Sequence, residues 1–187
     1  LAFGVPLTEW WGSAIGIQPY SFKGYDIATS RTYNDSLDID YRFGGTGGLN
    51  QFYWGNSFEV AKGLSLGFNT RFIFGKLEEV SYVLWNTNRF FNTKSEEEIS
   101  VKGVAFDYGL QYRYDFENNK SLGIGLTYSN SMSLNAQVGN FAYNFTGSVG
   151  RETPFDSLAT SGTRESSIQL PSEFGIGLTY GGIDPQI

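Results

Sequence analysis

The stretch Phe43–Phe58, FGGTGGLNQFYWGNSF, places four glycines within five residues between two alternating segments. Before it, residues 37–43 alternate apolar and polar side chains, and after it Phe52, Trp54 and Phe58 share one face. Glycine inside a strand marks a bulge, a bend or a close approach of two backbones. The stretch is therefore either one strand with a kink or a hairpin loop between two separate strands, and periodicity alone allows both.

Four other segments repeat the same pattern with a period of two, which is typical of a half-buried β-strand. In each, one face is aromatic or aliphatic, and the other carries glycine, amides and isolated charges. The segments are SLGFNTRFIFG (65–75), FDYGLQYRYD (106–115), SLGIGLTYS (121–129) and FGIGLTY (174–180). The second face suits a crowded polar lumen better than open solvent, because it is poor in Lys and Glu.

Composition narrows the function classes. The 187 residues include 24 Gly, 16 Phe, 12 Tyr and 4 Trp, a net charge of −6, no Cys and no His. A negative chain without a basic patch argues against nucleic acid as a partner. The absence of His removes the commonest general base and zinc ligand, so we expect no enzyme, no cofactor and no metal site. An outer-membrane hydrolase would need a His from outside this sequence.

Two environments can bury the apolar faces. In a soluble β-sandwich they would pack on each other as aromatic cross-strand pairs. In a membrane barrel they would face lipid, with aromatic girdles at the two water interfaces. Trp10 and Trp11 open one segment, and Tyr112, Tyr114 and Phe116 close another, which favours the barrel.

The connections alternate in length, as in outer-membrane barrels with short periplasmic turns and long external loops. Tight turns are predicted at residues 8–9, 61–63 and 117–120, and long polar connections at 30–36, 87–98 and 151–166. The strands are then predicted near residues 1–7, 10–29, 37–60 (interrupted), 64–86, 99–116, 121–149 and 167–180.

Seven strands are an odd number that leaves the sheet open, whereas bacterial barrels usually have an even count. We therefore predict an all-β fold, a transmembrane antiparallel up-and-down β-barrel of which this chain supplies about half. Residues 1–187 are expected to form one barrel domain within a longer chain. The alternating connections also favour the kink over the hairpin, and the strand-break residues Gly44, Gly45, Gly47 and Gly48 are then candidates for a gate in the barrel wall.

Several of these segments together resemble a known family. They are GIQPYSFKGYDI (16–27), the long stretch 44–75, FDYGLQYRY (106–114) and IQLPSEFGIGLTY (168–180). They look like the FadL-type outer-membrane transporters of hydrophobic compounds, most of all the Bacteroidetes-type branch. The resemblance implies a fourteen-stranded barrel with an N-terminal plug and a kinked third strand that makes a lateral opening.

The function implied is passive uptake of a fatty acid or hydrocarbon, with lateral release through the wall into the bacterial outer membrane. Outer-membrane lipid and a hydrophobic small molecule would be its partners. The candidate residues for the ligand path in the lumen are Asn69, Arg71, Asp107, Gln111 and Arg113. Their alternative role is an electrostatic network that fills and rigidifies the lumen.

A different function class stays open beside transport. A barrel of this type can serve as a structural or assembly subunit of a larger outer-membrane complex, with other outer-membrane proteins as partners. A lumen closed by side chains would favour this alternative. Two smaller features, the acidic run Glu96–Glu98 and the pair Asp38 and Asp40 beside Arg42, are expected to be a solvated loop and a local ion network.

Overall fold

The computed structural model describes residues 1–33, 37–116 and 120–182, which form one antiparallel sheet of ten strands. In chain order the strands are β1 (Ala2–Pro6), β2 (Trp11–Phe22), β3 (Tyr25–Tyr33), β4 (Leu37–Ala61), β5 (Leu64–Trp85), β6 (Asn92–Phe116), β7 (Lys120–Ser129), β8 (Met132–Ser148), β9 (Arg151–Leu170) and β10 (Glu173–Gly182). None of the described residues forms a helix with the length and apolarity that crossing a membrane requires.

The ten strands make seven rows, each antiparallel to the next. β2 and β3 lie end to end along β4, and β7 and β8 lie end to end along β6. β9 and β10 continue each other along β8 and β7. The seven predicted strands are therefore the seven rows, and the up-and-down order is confirmed.

The breaks between paired strands lie along one line across the sheet, which we call the waist. It passes through residues 23–24, 130–131 and 171–172, where three rows are interrupted. In the continuous rows it passes through glycine, with φ of +104° at Gly47 and +155° at Gly75. These angles are ones that side chains other than glycine rarely adopt. The waist divides the sheet into a lower half, which ends in the turns at 7–10 and 62–63, and an upper half.

Strand register gives the lower half two chemically different faces. On the outer face lie only apolar, aromatic and small polar side chains above the turns, and large ones such as Ile15, Phe72, Leu110 and Leu126 are exposed. On the inner face lie mainly Gly, Ala, Ser and Thr, together with Arg71 and Asp107. The inner face is concave. Its curvature is shown by the fact that Tyr20 of the second row and Glu173 of the last row line one cavity together with Arg71.

A small apolar core occupies the inner face at and above the waist. Its buried members are Leu49, Ile73, Val101, Ala105, Leu134 and Ala136, and Met132, Ile168 and Leu170 pack against them. Ile73 and Leu134 are 0% exposed. Burial of such a side chain is worth about 1.5–3 kcal/mol. This explains why Ile73 follows the polar residues Asn69 and Arg71 on the inner face of β5.

Several sequence predictions need correction. Of the predicted connection 30–36, residues 30–33 belong to β3, and residues 34–36 lie outside the described residues. The stretches 87–98 and 151–166, predicted as long polar connections, contain the first part of β6 and most of β9. β9 pairs with β8 along its length, so strand pairing overrides a polar composition. The sheet is also not closed into a barrel, since β1 and β10 each pair on one side only within the described residues.

The glycine-rich stretch lies inside one continuous strand, β4, so the hairpin interpretation is wrong. Replacing Gly47 by Ala should destabilise the sheet, because φ at this position is +104° and a Cβ would overlap the Lys76 carbonyl oxygen. We expect a loss of about 1–2 kcal/mol or more. A thermal unfolding midpoint followed by circular dichroism measures it. Gly177→Ala is the control, because nothing lies within 4 Å of its added Cβ; equal midpoints for the two variants would contradict the prediction.

Candidate functional site

The main polar cluster lies on the inner face just below the waist and is centred on Asp107. Strand register places Asn69, Asp107 and Ser129 side by side on β5, β6 and β7. The Asp107 carboxylate accepts hydrogen bonds from Arg71 Nη2 at 2.6 Å, Ser129 Oγ at 2.7 Å and Asn69 Nδ2 at 3.1 Å. The cluster therefore joins three adjacent rows through side chains as well as backbone.

The Arg71–Asp107 pair is largely shielded from water, with side-chain exposures of 19% and 24%. Two buried atoms of the cluster, Arg71 Nε and Asn69 Oδ1, have no hydrogen-bond partner among the residues that the structure describes. A carboxylate that accepts three hydrogen bonds is held in one orientation, and it fixes its three donors in turn. The arrangement is chemically that of a rigid polar network.

The five predicted lumen residues fall into two groups. Asn69, Arg71 and Asp107 come together in the cluster, whereas Gln111 and Arg113 lie further down the inner face of β6. Gln111 is four residues from Asp107, a distance of about 13 Å along a strand. Arg113 pairs instead with Asp115, at 2.8 Å between Nε and Oδ1, and both side chains are about half exposed. A single ligand path through all five residues stays a prediction.

A hollow of about 590 Å³ lies on the inner face of the lower half, beside the cluster. The exposed surface of its wall is mostly apolar, and Asn69 and Asp107 are among the polar residues that line it. Small residues supply most of the remaining wall: Gly4, Gly12, Ala14, Gly55, Ser57, Gly67 and Gly109. The hollow exists because these positions place few atoms above the backbone.

The strand-break residues lie where β4 changes partner on one side. Gly44 and Gly45 pair with β3, and Gly48 pairs with β2. On the other side Gly44, Gly45, Gly47 and Gly48 all stay paired with β5. Lys23 crosses the change of partner, because its backbone N–H donates to the Gly47 carbonyl at 2.9 Å and its side chain pairs with Glu79. The gate role of the four glycines stays a prediction.

The acidic run Glu96–Glu98 lies inside β6 and not in a loop, which corrects the expectation from sequence. Glu97 and Glu98 stand directly opposite Glu79 and Glu78 of β5. Like charges facing each other across a sheet are destabilising. Salt bridges with lysines offset this repulsion, since Lys76 pairs with Glu98 at 2.8 Å and Lys23 pairs with Glu79.

A second cluster fixes the upper half on the outer face. The ammonium group of Lys94 lies 5.5 Å from the ring centre of Tyr82 and 5.7 Å from that of Tyr143, and pairs with Glu96. Burial alone would lower the pKa of Lys94, but hydrogen bonds to Glu96 and Tyr143 outweigh it and raise the pKa. For Tyr82 the effect of burial is the opposite: it raises the pKa of the hydroxyl, which donates a hydrogen bond to Glu152 at 3.3 Å.

The aspartates of the first part of β4 have partners other than the one predicted. Arg42 forms two hydrogen bonds with Asp26 of β3, of 2.6 and 3.0 Å. The Arg42 hydrogen bonds lower the pKa of Asp26. Asp40 accepts from Ser30, and Asp38 from Thr32 and Asn86. The predicted network of Arg42 with both aspartates is therefore replaced by pairing across strands.

Sequence reasoning missed Ser129, Gln51 and Asn130. Gln51 is only 7% exposed and, like Asn130, has a side-chain oxygen without a hydrogen-bond partner in the described part of the chain. Ser129 was detectable in principle, since it ends an alternating segment on its polar face. Its contact with Asp107 depends on the register between β6 and β7, which no local pattern specifies.

Comparison with known proteins gives one match. A family model described as BamG matches residues 1–184. No curated protein and no solved structure matches the chain at a significant level. This match overturns the resemblance to FadL-type transporters, because the segments that carried that resemblance lie within the matched residues. Alternating strands with glycine breaks are shared by many sheets of this kind, so they do not identify one family.

The Asp107 cluster gives a stability prediction. Asp107→Asn should lower the free energy of unfolding by about 2 kcal/mol, because it leaves the shielded Arg71 without its charged partner. Asp115→Asn is the matched control on the same strand, and an exposed ion pair is worth about 0–1 kcal/mol. Urea unfolding in detergent, followed by tryptophan fluorescence, compares the two. Losses of the same size would show that the cluster does not stabilise the sheet.

Proposed function

We propose, from the premise that this chain belongs to the BamG family, that it is a structural subunit of an outer-membrane assembly complex. The family match supports this proposal, because it suggests a role tied to an outer-membrane assembly complex. This is the alternative that the sequence left open beside transport. The proposal assigns the chain no catalytic reaction.

The outer face of the lower half supports insertion into the membrane. On β5 it runs from Leu64 to Phe74, eleven residues, and a transmembrane strand needs about 9–11. Trp10, Trp11, Tyr112 and Tyr114 lie at its lower end, where aromatic side chains meet a membrane–water interface. Charged side chains are concentrated instead in the upper half and at the turns.

The two free edges of the sheet support closure by further strands. Phe174 and Ile176 of β10 are 80% and 79% exposed, whereas Phe72 in the middle of the sheet is 43% exposed. The side chains of β10 are more exposed because no strand covers them on one side. Unpaired backbone groups cost several kcal/mol each in hydrocarbon, so an edge cannot face lipid. We infer that these seven rows are one part of a larger closed barrel.

The observation that carries a structural role is the apolar core on the inner face at the waist. Ile73, Leu134 and Val101 fill the concave side there with side chains that are at most 2% exposed. A path for ligand along this wall would have to displace them. The continuous pairing of β4 with β5 through the glycine-rich stretch also supports an intact wall. Both features favour a scaffold over a passage.

Membrane insertion has a sharp test, because two adjacent residues of β7 are both exposed but lie on opposite faces. Leu126→Arg puts a charge on the outer face and should cost about 2–4 kcal/mol in a bilayer. Thr127→Arg puts the same charge on the inner face and should be tolerated. Folding into lipid vesicles, followed by the shift of the folded band on electrophoresis, measures both. In a water-exposed sheet the two variants would behave alike, and that result would contradict insertion.

The assembly role is tested in cells with the full-length protein. Depleting it should lower the level of folded outer-membrane β-barrels several-fold, and the protein should co-purify with other assembly-complex proteins. Uptake of a labelled fatty acid, scaled to the remaining barrel content, should not change. A loss of uptake with normal barrel levels and no co-purifying assembly protein would contradict the proposal.

A further inference from the structure

A polar pocket of about 340 Å³ lies on the outer face between β6, β8 and β9. Strand register puts the side chains of Lys102, Asn135, Gln137 and Glu165 on this face. Ser100 and Ser166 complete the polar part of the wall. The pocket thus combines one cation, one carboxylate and several neutral hydrogen-bonding groups.

The position of the pocket is set by the apolar outer face below it. Lys102 stands directly opposite Phe74, the last aromatic residue of that face on β5. Val104, two residues further along β6, is exposed on the same face. The pocket therefore opens at the boundary where the apolar surface ends and charged residues begin.

Lys102 differs from the other lysines of this part of β5 and β6. Lys76 pairs with Glu98 and Lys94 with Glu96, whereas Lys102 forms no salt bridge within the described ranges. Glu165 lies across the pocket, two strands away, and is also unpaired there. Two strand spacings amount to about 10 Å. Among the described residues, the site therefore holds a positive and a negative charge that form no salt bridge with each other or with a third residue.

We propose that this pocket binds the phosphoethanolamine headgroup of a membrane lipid. The phosphate would accept from Lys102 and from the amide or hydroxyl donors, and the primary ammonium would donate to Glu165. Phosphate and ammonium are joined by two carbons, so one headgroup would present an acceptor to Lys102 and a donor to Glu165 at the same time. The proposal rests on the membrane placement above, because only then does the lipid headgroup layer reach the pocket.

The test is native mass spectrometry of the full-length protein, purified in detergent and supplied with lipids of equal acyl chains. Phosphatidylethanolamine should be retained several-fold better than phosphatidylglycerol, which lacks the ammonium, and better than phosphatidylcholine, whose ammonium cannot donate. Lys102→Gln should lower retention of phosphatidylethanolamine about tenfold, the worth of one charge-assisted hydrogen bond. Glu165→Gln should abolish the preference over phosphatidylglycerol. Lys62→Gln, in a turn at the other end of the sheet, is the matched control and should change nothing.

The possible outcomes separate this site from the proposed function. A protein that fractionates with membranes but retains the three lipids equally overturns the headgroup site and leaves the assembly role standing. Unchanged retention of phosphatidylethanolamine by the Lys102→Gln variant also overturns the headgroup site. So does displacement of the lipid by inorganic phosphate at equal concentration. A protein that stays out of the membrane fraction overturns both.

Discussion

The constraint on which the structure depends is the unbroken backbone pairing of β4, β5 and β6. These three strands have 22 to 25 residues each and stay in register through the waist. Because side chains alternate along a strand, one register decides which face every residue takes. A shift of one position would move Arg71 and Asp107 onto the apolar outer face and place Phe72 and Phe106 on the inner one. The Asp107 cluster, the inner core and the hollow all follow from that single alignment.

The waist lets these long strands bend without losing their partners. Interruptions in the flanking rows and glycines in the central ones fall at nearly the same level, so the sheet can curve there as a unit. The inner core lies at this level, where curvature brings side chains of different rows together. Chemical character changes at the same line, from an apolar outer face below to paired charges above. Backbone geometry and surface chemistry are thus divided at one place.

The sequence allowed the rows, their antiparallel order, the two faces and the tight turns at 8–9 and 61–63 to be predicted, because each follows from alternation or from local turn residues. The turn predicted at 117–120 lies largely outside the described residues. Residues 151–166 were assigned wrongly, since polar composition is a weaker signal than the pairing partner that β8 provides. Three of the five candidate lumen residues do cluster, because two of them neighbour each other on one strand face. The role of Ser129, the partner of Arg42 and the closing of the inner face by Leu134 depend on contacts between strands distant in sequence. The family, too, was beyond what alternation and glycine breaks can distinguish.

The length of the central strands has a geometric consequence. A strand of 25 residues extends for about 80 Å, while the hydrocarbon layer of a bilayer is only about 30 Å thick. With the lower half in the membrane, as we propose, the central rows carry their other ends far from the lipid, and they do so through continuous sheet instead of flexible loops. Such a sheet acts as a rigid spacer: it fixes the height and the angle at which its tip, with Trp85, Phe90 and Phe91, is presented. A protein docking on that tip would be held at a set distance from the membrane surface.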